Sequence, residues 1–337
     1  MRTKTRSIQV LAIGVVLAAV LAACGSSGSS KTDTGSPGTT GGAASGDTVA
    51  ATMVFGGAPE CPTRPLCLQG LETTYGLKFK DFKSLDPGGP LTVAALKNGD
   101  IQIGLIFTTD GQIAANDWVL LEDDKNLQPS DNITPVVNQA TAAAYGTEFA
   151  DLTNQVSAKI TTGDLADLNK QVDVDKKDPD AVAKQWVQDS GLVPATAPAA
   201  KSGPPIVVGS ANFTESEILA NIYAQVFKGN GYDVSTKLKI GSREIYLPTI
   251  QSGEVSFIPD YAGTLLAFVD TTATPSTDPD TTHAALVAAL KASTDFNKIV
   301  AFDSSPAQDK NGFVVTKATA DKYSLVKISD LAKAPPS

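Results

Sequence analysis

The chain has 337 residues, of which 42% are hydrophobic and 19% charged, and its formal net charge is −9. This acidity excludes nucleic acid and anionic surfaces as partners of the folded part, because both require clustered Lys and Arg. A body of this length is typical of two domains, each with its own core.

The N-terminus has the pattern of a lipoprotein signal peptide. Three basic residues precede an uncharged apolar run, residues 8–22, and small residues then lead to Cys24. The run is shorter than the roughly 20 residues of a membrane-spanning helix, and small residues before a cysteine suit cleavage and lipidation there. We therefore predict loss of residues 1–23, a lipid on Cys24 and a location on the extracytoplasmic face of the cell membrane. A plain N-terminal membrane anchor is the alternative.

Residues 24–50 are dominated by Gly, Ser, Thr and Ala. This composition buries too little apolar surface to fold and predicts a flexible tether. With Cys24 assigned to the lipid, Cys61 and Cys67 remain as a pair in an oxidising compartment, which predicts a disulfide between them. Two unbonded thiols are the alternative, because the short loop with Pro62 and Pro65 constrains disulfide geometry.

The remaining sequence divides into two similar halves. Residues 194–205 lack a hydrophobic period and read as a linker. Gly99 and Phe107 of the first half recur as Gly253 and Tyr261, each 154 residues later, which indicates an internal duplication. Each half alternates strand, helix and strand, the pattern of parallel α/β sheets, whose ligands bind beyond the carboxyl ends of the strands.

A helical stretch lies between the halves. Its apolar residues recur at helical spacing and are predicted to be core residues: Phe149, Leu152, Val156 and Ile160. Asp178 and Pro179 predict the start of a further helix. The aspartates around 173–180 lack the central Gly and terminal Glu of a calcium loop, so solvated surface is favoured over a metal site.

Enzyme motifs are missing from the sequence. The one histidine, His283, is predicted to lie at the exposed start of an alanine-rich helix, where it is a poor general base. No nucleophile elbow, phosphate-binding loop or zinc motif is present. We therefore predict a protein that is not an enzyme and that needs no cofactor or metal.

The loop after the first strand of the second half is a candidate binding element. Thr214 and Glu217 predict a capping box and a helix from Glu215. Asn212 and Phe213 would then stand at a strand end and a helix N-terminus, where free N–H groups favour a carboxylate. A loop that only turns the chain is the alternative.

Four motifs resemble the substrate-binding lipoproteins of glycine betaine and choline ABC importers. They span residues 206–215, 259–264, 55–60 and 107–111. The resemblance covers residues 51–192 and 206–333. It implies an α/β, two-lobed fold of periplasmic-binding-protein type II. It also implies a monomer that captures a quaternary ammonium osmoprotectant between its lobes and delivers it to the permease of an ABC importer.

The order of the two segments is reversed relative to that family, so the chain resembles a circular permutant. Permutation is tolerated where the cut is exposed and the old ends lie close together. We expect one lobe to contain residues 52–135 plus 317–337 and the other residues 136–315. Residues 193–205 would bridge the old termini, and the hinge would cross near 134–137 and 314–317.

The resemblance also implies site residues. Tyr261 and Thr264 match the family's binding motif, Arg64 matches an arginine that follows a Gly-Pro-Glu loop, and Phe107 stands where tyrosine is usual. Phe107 and Tyr261 would enclose a trimethylammonium group by cation–π attraction, while Arg64 and Thr264 would hold a carboxylate. The other candidates are Thr108, Asn132, Asn212, Phe213 and Arg243. For Arg243, a surface ion pair with Glu244 is the alternative.

Two other functions stay open at the level of sequence. One is binding of a different small solute, such as a polyol or an amino acid. The other is a lipoprotein without a transport role, acting as a sensor or in adhesion.

Overall fold

The computed structural model describes residues 48–196 and 198–336. The predicted signal peptide, Cys24 and nearly all of the tether lie outside the described residues. Within the described part of the chain, no helix has the length and apolar character needed to cross a membrane.

The described residues form ten strands and eleven α-helices. The strands are β1 Val54–Gly57, β2 Asp81–Ser84, β3 Ile103–Phe107, β4 Trp118–Leu120, β5 Ile133–Asn138, β6 Ile206–Gly209, β7 Val234–Lys237, β8 Phe257–Tyr261, β9 Ile299–Ala301 and β10 Asn311–Thr316. The helices are α1 Leu68–Tyr75, α2 Pro90–Asn98, α3 Gly111–Ala115, α4 Gln139–Lys159, α5 Thr162–Asn169, α6 Pro179–Ser190, α7 Thr214–Gly229, α8 Arg243–Ser252, α9 Ala262–Val269, α10 Pro279–Ala292 and α11 Lys317–Tyr323.

The strands form two five-stranded sheets with the same topology. The first sheet has the order β2-β1-β3-β10-β4 and the second the order β7-β6-β8-β5-β9. In each sheet one strand runs antiparallel to its neighbours: β10 in the first and β5 in the second. We call each sheet with its helices a lobe. The predicted two-lobed α/β fold is confirmed, and the repeated strand order agrees with the predicted duplication.

The chain changes sheet at positions that differ from the expected ones. Strand β5 pairs within the second sheet and β10 within the first. The crossings therefore fall between Leu120 and Ile133 and between Ala301 and Asn311, instead of within 134–137 and 314–317. All six residues of β5 are buried. Its hydrophobic pattern is therefore uniform and does not indicate where one lobe ends and the other begins.

Each sheet is covered by apolar side chains from its own helices. Phe149, Val156 and Ile160, predicted as core residues, are fully buried in the second lobe. Asp178 caps the N-terminus of α6, where its carboxylate accepts the N–H of Ala181. Gly99 and Gly253 end α2 and α8 with positive φ angles of 78° and 84°, which glycine adopts without steric cost.

Three other local features bear on the sequence predictions. Cys61 and Cys67 form a disulfide in the first lobe, with their Cα atoms 5.2 Å apart. His283 lies inside α10 and is half-buried, with Nε2 2.9 Å from the carbonyl oxygen of Phe302. The N–H of Val49 donates to the carbonyl of Lys333 at 2.8 Å, so the two ends of the described body lie side by side.

Candidate functional site

A cavity of about 540 Å³, here called the main cleft, opens where the strands of the two lobes end. Phe107 ends β3, Tyr261 ends β8, and Ala211 to Phe213 follow β6. Carboxyl ends of parallel strands are the usual binding edge of such sheets, as predicted from the sequence. The lining residues are Phe107, Asp131, Ala211, Asn212, Phe213, Ser216, Gly241, Ser242, Arg243, Tyr246, Pro259, Tyr261, Thr264 and Asp309.

Aromatic rings form one part of the cleft wall. Phe107 and Phe213 are 46% and 44% exposed, an unusual state for phenylalanine, whereas Tyr261 is buried. The ring centroids of Phe213 and Tyr261 are 6.1 Å apart, with their planes tilted by 33°. These exposed rings offer π faces to a cation that enters the cleft.

Hydrogen bonds to a buried carboxylate fix the position of Tyr261. Its hydroxyl donates to Oε1 of Glu215 at 2.6 Å, and Nδ2 of Asn169 donates to Oε2 of the same carboxylate at 2.6 Å. Burial and the neighbouring Glu215 raise the pKa of Tyr261 well above its usual value, so the ring stays neutral and its hydroxyl remains a donor. The wall is therefore preorganised.

Arg243 lies on another wall of the main cleft. Its Nε and Nη2 donate to Oδ1 of Asp260 at 3.1 and 2.8 Å, and Nη2 also donates to Oγ1 of Thr264 at 2.6 Å. Tyr246 donates to the other oxygen of Asp260 at 2.7 Å. Arg243 lines the cleft and pairs with a buried aspartate behind it, which overturns the alternative of a surface pair with Glu244.

Asp131 extends this polar wall. Its Oδ1 accepts the N–H groups of Gly263 and Thr264 at 2.8 and 3.0 Å, at the start of α9. Burial is the main cause that raises the pKa of Asp131 to about 6, against the opposing effects of Thr264 and Arg243. Asp131 and Asp309, the two carboxylates that line the cleft, belong to none of the sequence motifs, and only the fold brings them together.

The predicted capping box at the cleft is wrong. Helix α7 begins at Thr214, and Phe213 is the N-cap residue without a side-chain cap. The hydroxyl of Thr214 donates instead to Asp173 at 2.8 Å, so a long-range contact outcompetes the local one.

Three of the predicted site residues do not line the main cleft. Arg64 is exposed and pairs with Glu60 at 2.9 Å, four residues earlier in the chain. Thr108 donates to the carbonyl of Gln308 at 3.0 Å. Asn132 donates to the carbonyl of Ser305 at 2.9 Å and lines a different cavity, of about 420 Å³. All three side chains thus bond to residues that do not line the main cleft.

The other six predicted ligand-binding residues do line the cleft: Phe107, Asn212, Phe213, Arg243, Tyr261 and Thr264. An α/β protein with a polar and aromatic cleft between two lobes is of the solute-binding class. The chain belongs to the family described as the substrate binding domain of ABC-type glycine betaine transport systems, whose model matches residues 44–189 and 204–337. The resemblance predicted from the motifs is confirmed, and this family consists of binding proteins and not of enzymes.

Curated relatives match over part of their length. The chain is 32% identical to the glycine-betaine-binding protein of Pseudomonas aeruginosa over 144 residues, which are 42% of this chain and 45% of that protein. It is 29% identical to a carnitine transport binding protein of Listeria monocytogenes over 114 residues, 34% of this chain and 36% of that protein. Each match thus spans less than half of the relative.

A solved structure of a glycine betaine/carnitine/choline ABC transporter is also similar. It is 24% identical, with a TM-score of 0.36, and the match covers 42% of this chain and 50% of that one.

Proposed function

We propose that this protein captures a quaternary ammonium solute of the glycine betaine type in the main cleft and delivers it to the permease of an ABC importer. One observation carries the proposal: exposed phenyl rings and a buried tyrosine share a cleft with an arginine. Family membership and the names of the relatives point to the same class of solute.

The two walls suggest how a zwitterion is oriented. A trimethylammonium group, which has no N–H donors, fits against the π faces of Phe107 and Phe213. A carboxylate fits toward Arg243, because Nε and Nη2 are used by Asp260 and Thr264 while Nη1 has no partner among the described residues. Asn212 and Phe213 place the N-terminus of α7 in the same cleft, which also favours an anion. Arg243 takes the role that the sequence assigned to Arg64.

Replacing Phe107 by alanine is expected to weaken binding of glycine betaine about 30-fold, because a desolvated cation–π contact is worth about 2 kcal/mol. Phe107→Leu is the matched control, since it keeps an apolar side chain and removes the π face. Calorimetric titration of both variants measures the loss, and the fold should be unaffected because the ring is half-exposed.

Equal affinity of the wild type and Phe107→Leu would contradict a cation–π contact.

A thermal-shift panel of betaine, choline, carnitine, proline and sugars tests the wider proposal, because a ligand at 100 times its dissociation constant adds about 2.7 kcal/mol of stability. If only a polyol or an amino acid stabilised the protein, the proposed class of solute would be wrong. If none of the solutes shifted the melting temperature, a sensor or an adhesion protein would be favoured.

We also infer that the chain is a circular permutant in which residues 193–205 bridge the former termini. The hydrogen bond from Val49 to Lys333 supports it, because the residues on either side of the new cut would have been neighbours in the unpermuted chain. The two sheets have the same strand order, and a change in the order of the two halves along the chain would require no change in the strand pairing of either sheet.

Lipid anchoring at Cys24 is part of the same proposal, and we expect the mature protein to be a monomer on the extracytoplasmic face of the membrane. Changing Cys24 to Ser is expected to shift the protein from the membrane fraction to the soluble fraction, because the lipid supplies its apolar contact with the bilayer. Fractionation and intact-mass analysis check this result. An uncleaved N-terminus on the wild-type protein would refute the anchor.

A further inference from the structure

The loop that follows β3 in the first lobe contacts the second lobe close to the main cleft. Phe107, on the cleft wall, ends β3, and two residues later the carbonyl of Thr109 accepts Nδ2 of Asn169 at 2.9 Å. Both Thr109 and Asn169 are buried. Asn169 ends α5, whose residues Leu165 and Leu168 pack in the core of the second lobe. This hydrogen bond therefore joins the two lobes and is shielded from water.

The same amide is connected to the cleft wall of the second lobe. Nδ2 of Asn169 also donates to Oε2 of Glu215 at 2.6 Å, and Oε1 of Glu215 accepts the hydroxyl of Tyr261 at 2.6 Å. Burial raises the pKa of Glu215, and its hydrogen bonds with these two donors and with Thr109 oppose that rise. A chain of buried polar groups, here called the interlobe relay, thus runs from the Thr109 carbonyl through Asn169 and Glu215 to Tyr261.

The backbones of the two lobes also approach closely at this point. Gly111 is the first residue of α3, and Ile113 packs that helix against the core of the first lobe. A Cβ atom added at Gly111 would lie 2.4 Å from the backbone nitrogen of Lys170 and 2.9 Å from the carbonyl carbon of Asn169. These distances are shorter than van der Waals contact, so the lobes come this close because residue 111 is a glycine.

We infer that Asn169 is a positioning residue for solute binding, which sets the distance between Phe107 and Tyr261 through the interlobe relay and slows solute release. A solute that contacts both walls leaves when the lobes separate, and their separation breaks the hydrogen bond from Asn169 to Thr109. Asn169 does not line the main cleft, so it acts through the residues that it bonds and not by touching the solute. The inference rests on the proposed function, because the distance matters only for a solute held between the lobes.

Release of glycine betaine from the full-length protein tests this role. NMR line shapes of its methyl protons give the dissociation rate constant, and calorimetry gives the Kd. We expect Asn169→Ala to raise the dissociation rate constant about tenfold and to change the association rate constant less than about twofold, because bonds made on closure act on release. Gly111→Ala should have a similar effect, because its methyl group holds the lobes apart. Gly163→Ala is the matched control, since it places the same methyl group in the first turn of α5, where the closest side chain, that of Thr161, is 3.8 Å away.

Urea denaturation of the same variants separates positioning from a loss of stability. If Asn169→Ala lowered only the unfolding midpoint and left the dissociation rate constant unchanged, its role would be structural and the inference would be overturned. Equal release from Gly111→Ala and Gly163→Ala would also overturn it, because closure would then not depend on this contact. In both cases a wild type that binds glycine betaine would leave the proposed function intact. A wild type that binds no glycine betaine would contradict the proposed function and this inference together.

Discussion

Replacing Arg243 by methionine is expected to lower the free energy of unfolding by about 3–5 kcal/mol, because it leaves the carboxylate of Asp260 buried without its counter-charge. The side chain of Asp260 is fully buried, whereas that of Arg243 is 22% exposed toward the cleft. The same change removes the proposed carboxylate contact, so betaine should lose affinity and choline, which has no carboxylate, should lose less. Urea denaturation and calorimetry measure the two effects.

Arg64→Met is the matched control for this prediction. Arg64 also pairs with a carboxylate, at 2.9 Å, but both partners are exposed. A pair of this kind contributes about 0–1 kcal/mol, and we expect no change in betaine affinity. The double variant Arg243→Met with Asp260→Asn should recover part of the lost stability without recovering betaine binding. Equal effects of the Arg64 and Arg243 variants on unfolding would refute the role given to the buried pair.

Replacing Phe149 by alanine is expected to destabilise the protein by about 3–5 kcal/mol, because it opens a cavity in the core of the second lobe. Phe149 is fully buried, and its ring centroid lies 4.8 Å from that of Phe227, 5.5 Å from that of Tyr232 and 5.8 Å from that of Tyr145. Such aromatic pairs add to the burial of apolar area.

Phe213→Ala is the control for this second prediction. It removes the same ring from a position that is 44% exposed, so its effect on stability should be below about 1 kcal/mol while its effect on solute binding is large. Urea denaturation of both variants provides the comparison. Similar losses of stability would show that the aromatic cluster around Phe149 is not tightly packed.

Local patterns predicted much of the fold. The period of Phe149, Leu152 and Val156 identified one face of α4, because burial repeats every 3.6 residues. Leu152 is only half-buried there, and Ile160 follows the end of the helix. Gly99 and Gly253, which were predicted to be equivalent positions of the two halves, both end a helix, because glycine adopts a left-handed cap at no steric cost. The family resemblance was carried by short motifs at strand ends, where the chain must keep both a turn and a binding wall.

Contacts between residues that are far apart in the sequence could not be predicted from it. Glu215 and Tyr261 bond to each other across 46 residues, and Asn169 reaches the same carboxylate from another helix. Arg64 and Arg243 are alike as residue types, and only their partners distinguish a surface pair from a cleft wall. The positions at which the chain passes from one lobe to the other were predicted wrongly, because the hydrophobic patterns of β5 and β10 do not show to which sheet each strand belongs.

The last strand, β10, belongs to the first sheet, and this affects the order in which the chain folds. The second sheet needs no residue beyond Ala301, whereas the first is incomplete until Asn311–Thr316 has emerged, because β10 separates β3 from β4. Pairing over so long a stretch of chain is slow, since loop-closure entropy must be overcome before the contacts form. The second lobe is therefore free to fold during synthesis, while the first lobe stays open until the last strand arrives.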